Sequence, residues 1–166
     1  MIDTPPFLDR GRPNVPNMVV SGGIVPFHLA QSPVRGRLIR LGALADAILS
    51  RHDLPDAVLT MGGQALALVA GMASALKFKG SFSLQIKGDG PVSMLLADAT
   101  DTGDLRFMAR LAEDADPAAL PTSPKELLGH GYLAFTIDQG ADMDRHQGIV
   151  ELTGETLSEM AVHYFQ

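Results

Sequence analysis

The stretch VLTMGGQALALVAGMASAL, from Val58 to Leu76, carries no charged residue and is bracketed by Asp56 and Lys77. Pro55 stands just ahead of it, where a first helical turn tolerates proline because that residue's N–H would have no intrahelical partner. Apolar or small residues occupy every side of the helical wheel, so the segment reads as a helix buried all round. Its length also suits a bilayer, which about 20 apolar residues can span. Against a membrane span stand Thr60, Gly62, Gly63, Gln64, Gly71 and Ser74 within the run, the abundance of Ala, and flanks without a clear basic cluster. The expectation is therefore the central helix of a soluble domain. Ala65, Ala67, Ala70, Ala73 and Ala75 would let neighbours approach its backbone closely. Gly62, Gly63 and Gly71 each cost about 1 kcal/mol relative to Ala, so tertiary packing must hold the helix.

The 166 residues suit one domain with a real core, and 46% of them are hydrophobic. Trp is absent and aromatics make up 5%, so that core must be built from Ala, Leu, Val, Ile and Met. A net charge of −6 argues against a general nucleic-acid binder, which needs clustered Lys and Arg to displace counterions. It is ordinary for a soluble cytoplasmic protein. Cysteine is absent, which excludes disulfides, thiol catalysis and cysteine-ligated zinc within this chain. The N-terminus shows no basic region followed by an apolar core, so no secretory signal is read there.

Outward from the central helix the period changes. Ser81 to Lys87, SFSLQIK, alternates Phe82, Leu84 and Ile86 with Ser83, Gln85 and Lys87, the pattern of a half-buried strand. Gly88-Asp89-Gly90-Pro91 is a turn signal. Val92 to Ala97 is apolar on both faces, with Val92, Met94 and Leu96 sharing one face and Leu95 and Ala97 the other. Leu105 to Leu111 is a third strand, and the three predict an antiparallel meander. Ala112 to Pro124 is a loop, and Lys125 to Leu128 a helical turn. Gly131 to Asp138 and Gln147 to Leu152 are strands separated by a polar turn. Thr156 with Glu159 forms a capping box that opens a last helix, whose apolar side is Leu157, Met160, Ala161 and Tyr164. Met61, Met72 and Met94 are expected in the core.

Ahead of the central helix, Gly42 to Asp53 is amphipathic, with Leu41, Leu44, Ala45, Ile48, Leu49 and His52 at three-to-four spacing. Val34 to Leu41, which alternates Val34 and then Leu38 with charged Arg35, Arg37 and Arg40, reads as a strand with one solvated face. Residues 1–33 hold Pro5, Pro6, Pro13, Pro16, Pro26 and Pro33 and read as a proline-rich, partly mobile segment whose short apolar runs, Met18 to Val20 and Ile24 to Phe27, could dock on the domain. The core domain is then 34–166. The fold class is α+β: antiparallel-rich sheet packed against a buried central helix and an amphipathic helix.

Residue types alone give no catalytic constellation. His52-Asp53 is a sparse start for a metal site, since metal-dependent hydrolysis needs further ligands; His52 reads as a helix-end residue against the last carbonyls. Gly88-Asp89-Gly90 could cradle a phosphate, but strand-like sequence follows where a helix N-terminus is needed, which favours a hairpin. Asp142-Met143-Asp144 reads as a solvated acidic loop. No Ser sits in a Gly-x-Ser-x-Gly elbow.

VRGRLIRL, AILSRHDLP, SALKFKGSFSLQIKGDGPVSMLLAD, LLGHGYLAFTIDQG and RHQGIVELTGETLSEMAVHYF, in this order over roughly residues 34–165, resemble the redox-regulated 33-kilodalton heat-shock chaperones of bacteria. The resemblance implies a cytoplasmic, ATP-independent holdase that binds partly unfolded client proteins under heat and oxidative stress, dimerises when active, and is no enzyme. It also implies a C-terminal zinc module with Cys-x-Cys and Cys-x-x-Cys pairs, reached through a helical linker. This sequence stops at His163-Tyr164-Phe165-Gln166, where that pattern continues, so linker and redox switch are expected to be absent and no zinc ligand carries over.

A holdase needs accessible apolar surface rather than a catalytic group, and apolar area attracts exposed client segments at about 25 cal/mol per Å². The hairpin Ser81 to Ala97 cannot bury all its apolar residues on one side, so Phe82, Leu84, Ile86, Met94, Leu95 and Leu96 are the candidate client-binding residues, with the outward subset left to strand order. The expected partners are unfolded proteins and a second copy of the chain, without nucleic acid, membrane or cofactor. Two other classes remain open: a domain that binds one partner, and a small-molecule enzyme with an unrecognised site.

Overall fold

Ser81–Gly88 (β3), Val92–Thr100 (β4) and Leu105–Leu111 (β5) form the expected meander, and Gly131–Asp138 (β6) with His146–Glu151 (β7) extends it on the other side of β3. The result is one antiparallel five-stranded sheet in the order β5-β4-β3-β6-β7. The computed structural model describes residues 22–140 and 143–166. The tail reading of residues 1–21, its Met18 to Val20 run, and Asp142 of the acidic loop lie outside the described residues.

One face of this sheet is the core. Across the strands run the rows Ala109–Leu95–Ile86–Leu133–Val150 and Phe107–Ala97–Leu84–Phe135–Gly148. The central helix, Asp56–Ala73 (α2), lies on that face and buries Val58, Met61, Gly62, Ala65, Leu66, Val69 and Ala70. Those positions recur at three and four, so α2 is buried along one stripe and not all round: Thr60 and Gln64 are exposed. Hydropathy could not show this, because the Ala and Gly on the outer side are small rather than polar. The helix also ends at Ala73, short of Leu76.

Ala43–Leu49 (α1) is the amphipathic helix, shorter than expected and without a fully buried residue. Ile48 and Leu49 lean on the core, whereas Leu44 stays half exposed. His52 turns its ring edge-on to Phe107, with centroids 5.2 Å apart. Its backbone N–H meets the Leu49 carbonyl, and the imidazole packs against Phe107. Pro124–Leu128 (α3) sends Leu127 and Leu128 fully into the core. Leu157–His163 (α4) opens with the expected capping box of Thr156 and Glu159 and buries Leu157, Met160 and Ala161. Tyr164 follows, edge-on to Phe135 at 4.8 Å.

Further expectations are corrected in the strands. Gly23–His28 (β1) is a strand, paired antiparallel with Arg35–Arg40 (β2) in a separate ribbon. Its single internal Pro26 is tolerated because a two-stranded ribbon is all edge. The second correction lies in β4. Val92 pairs with Leu111 and Met94 with Arg110, so Ser93 is an extra residue, a bulge. Its hydroxyl donates to the carbonyls of Arg110 at 3.1 Å and Leu111 at 3.3 Å. One extra residue reverses which face each later side chain takes. Val92 is therefore buried with Leu95, Ala97 and Ala99, while Met94 and Leu96 turn to the opposite face, only half-buried. Met61 is in the core as expected; Met72 is only partly buried and Met94 is outside the core.

Candidate functional site

Among the described residues no three His, Asp or Glu side chains come together as a metal site. The Gly88-Asp89-Gly90-Pro91 turn is committed internally. Its Asp89 carboxylate accepts the backbone N–H of His130 at 2.6 Å, and the Gly90 N–H donates to the Leu128 carbonyl at 3.0 Å. A Cβ on Gly88 would stand 1.9 Å from that carbonyl oxygen, and one on Gly90 within 2.7 Å of backbone atoms of Leu127, Leu128 and Gly129. The glycines are there so that the turn can lie against the junction of α3 and β6. The amides a phosphate would need are thereby occupied.

The sheet separates the candidate client-binding residues. Phe82, Leu84, Ile86 and Leu95 are at most 2% exposed beneath α2, so in the folded chain they hold the core and are beyond the reach of a partner. Met94 and Leu96 are on the other face. There the register draws one transverse row, Met108–Leu96–Gln85–Ala134–Ile149, with one residue from each strand. Met108 is 37% and Ile149 57% exposed. Sequence reading passed over both: Met108 lies in an ordinary alternation, and Ile149 in a short strand with no internal sign of which side is wet.

Charged and polar rows flank this apolar one. On one side run Arg110, Met94, Lys87, Tyr132 and Glu151; on the other, Arg106, Asp98, Ser83, Thr136 and Gln147. Arg106 reaches over Asp98 at 2.9 Å, which pairs the one charged side chain classed as buried among the described residues. Gln147 donates to the Thr136 hydroxyl at 2.8 Å. Long side chains thus frame a strip in which Met108, Leu96, Ala134 and Ile149 are interrupted at the centre by Gln85, and Ala134 within it is 1% exposed. α2 and α4 pack on the opposite side, and α3 sits at the β3–β4 turn. Such a surface offers apolar contact area between rows of hydrogen-bonding and charged side chains.

A profile of the Hsp33 protein family matches residues 23–166. The 33 kDa chaperonin of Caulobacter vibrioides is 41% identical over 151 residues, covering 89% of this chain and 50% of that protein. The 33 kDa chaperonin of Pectobacterium atrosepticum is 38% identical over 133 residues, covering 80% and 45%. Among solved structures, the 33 kDa chaperonin (heat shock protein 33 homologue) of Thermotoga maritima superposes with a TM-score of 0.71 at 24% identity, over 86% of this chain and 49% of that one, and so shares its fold. The chain spans about half the length of the curated relatives it matches. These relatives carry the name of a chaperonin and not of an enzyme. By the extent of the profile match and these identities, the chain belongs to the Hsp33 family.

Proposed function

We propose that this chain is an ATP-independent holdase core, which binds partly unfolded proteins under heat or oxidative stress and keeps them from aggregating. The observation that carries the reading is the apolar row on the sheet face opposite α2, half open to solvent at Met108 and Ile149. The chaperonin name of its relatives supports the class. The client surface is that row, with Leu96 and Met94 kept from the sequence reading and Phe82, Leu84, Ile86 and Leu95 assigned to the scaffold. The chain works in the cytoplasm, needs no cofactor, and pairs with a second copy. It binds neither nucleic acid nor membrane.

The test is light scattering of a heat-unfolding client protein without ATP. The unmodified chain is expected to slow aggregation at stoichiometric amounts. Met108→Asp or Ile149→Asp should weaken suppression with little change in thermal stability, because each side chain is already partly in water. Leu84→Asp should unfold the domain, since an unpaired carboxylate in the core costs several kcal/mol. Peroxide followed by dithiothreitol should not switch the activity on and off, because the chain has no thiol. Failure of the unmodified chain at several-fold excess over client would refute the holdase reading; protection of one client alone would make it a single-partner domain.

A further inference from the structure

The five-stranded sheet ends at β7, and that edge is open. β7 pairs with β6 on one side only, and each of its residues is exposed or half-buried. Just beyond it the Leu152 N–H donates to the Gly131 carbonyl at 3.0 Å, which makes these two a hydrogen-bonded pair of the antiparallel ladder. Such pairs alternate along the ladder, so His146, Gly148 and Val150 turn their backbone groups to β6. Gln147, Ile149 and Glu151 turn theirs away from the sheet. Among the described residues nothing bonds to these three N–H and carbonyl groups.

The other edges carry devices that discourage strand pairing. β5 holds Arg106 and Arg110 and lies beside α1. In the ribbon, the Leu29 N–H donates to the Val34 carbonyl at 3.0 Å, and the same alternation sets Pro26 at an outward position of β1, where it has no N–H to offer. β2 holds Arg35 and Arg37 and lies against α2. β7 has no Pro, Lys or Arg and keeps one register without a bulge. Its unmatched groups are those of a backbone, and an extended main chain is what satisfies them. Nucleic acid would find no lysine or arginine on this strand. A folded second copy would set one net charge of −6 against another. An extended segment of an unfolded polypeptide brings free N–H and carbonyl groups at the same spacing without that opposition. Its side chains alternate between the two faces. Those on the outer face would stand beside Ile149, 57% exposed, and lengthen the apolar row by one residue.

We propose that β7 is a strand-addition site, where an extended apolar segment of an unfolded polypeptide joins the sheet as a further strand, held by the backbone groups of Gln147, Ile149 and Glu151. This deepens the holdase reading and rests on it in calling the segment a client; it assigns recognition to main-chain hydrogen bonds, which the apolar row alone does not use. The probe is a fluorescent peptide of about seven residues, a common strand length, alternating Val with Thr and ended by one Lys. The comparison is the same peptide with its three central amides N-methylated, both read by anisotropy. Methylation removes donors and leaves the apolar side chains in place. The unmethylated peptide is expected to bind roughly tenfold tighter than the methylated one.

Amide hydrogen exchange reads the same site residue by residue. With the unmethylated peptide bound, the amides of Gln147, Ile149 and Glu151 should exchange more slowly than in the free chain, while those of Gly148 and Val150, already bonded to β6, should change little. Gln147→Pro removes one outward donor without touching the β6 ladder, and should narrow the gap between the two peptides. Should that variant melt early, the two peptides on the unmodified chain still decide. Equal binding of the peptides, or protection spread evenly along β7, would overturn the inference. So would slow exchange of the three amides in the free chain; protection that grows with protein concentration would give the edge to a second copy. If the peptide binds with alternating protection but aggregation is not suppressed, the holdase reading falls and the strand-addition site stands. If aggregation is suppressed and methylation makes no difference, the reverse holds.

Discussion

Gly62 and Gly63 are neighbours in the sequence with opposite surroundings. A Cβ on Gly62 would lie 2.6 Å from the Phe107 ring and 3.0 Å from Leu49; one on Gly63 would meet Leu49 at 3.6 Å, an ordinary contact. Phe107 is itself held, nearly buried and edge-on to His52, so its ring has little room to withdraw. Gly63→Ala should then stabilise the protein by up to about 1 kcal/mol through helix propensity. Gly62→Ala should lose that gain to overpacking, which costs about 1–3 kcal/mol, and come out destabilising. Urea titration of the two variants separates them, and equal effects would contradict the packing described. Nothing in GGQALAL distinguishes the two glycines: what decides is a ring delivered from β5, far along the chain.

At the scale of elements, α4 shows a local signal that survives folding. The Glu159 carboxylate accepts the backbone N–H groups of Glu155 at 2.7 Å and Thr156 at 3.1 Å, and these bonds hold its pKa below the ordinary glutamate value. A carboxyl depressed in the folded state contributes stability above its unfolded pKa, about 4.3, and loses it as pH falls through the folded value. Glu159→Gln should therefore be less stable than the parent at neutral pH, with the gap narrowing below about pH 4; a gap constant with pH would rule out this role. The capping box was legible because its partners are three residues apart. So was β3, whose strict alternation faces a helix on one side. The phase of β4 was not, because Ser93 enters as a bulge that only the pairing with β5 reveals. Nor was β1, where Pro26 hides a strand whose partner, β2, lies beyond a hairpin loop. The same limit governed the candidate residues of the hairpin: pairing with β3 and the bulge set Met94 and Leu96 outward and Leu95 inward.

For the whole molecule, net charge sets how two copies could meet through the sheet row, and salt reads it. The sheet row lies between mixed charges, so a contact between two copies through it is driven by apolar area against the mutual repulsion of two chains of net charge −6. Salt screens that repulsion, and association should tighten as ionic strength rises. An isologous contact also sets Ile149 near the partner's copy of the row, so Ile149→Asp would add two charges to one buried strip and should leave the protein monomeric. On the proposed reading the row could not hold a second copy and a client together, so a dimer through it would have to be weak enough to yield, and unfolding client should shift it toward client-bound chain. Sedimentation velocity across protein concentration and salt tests this directly. A monomer at millimolar protein in high salt, or a dimer that Ile149→Asp leaves intact, would show that the sheet row is not where two copies meet.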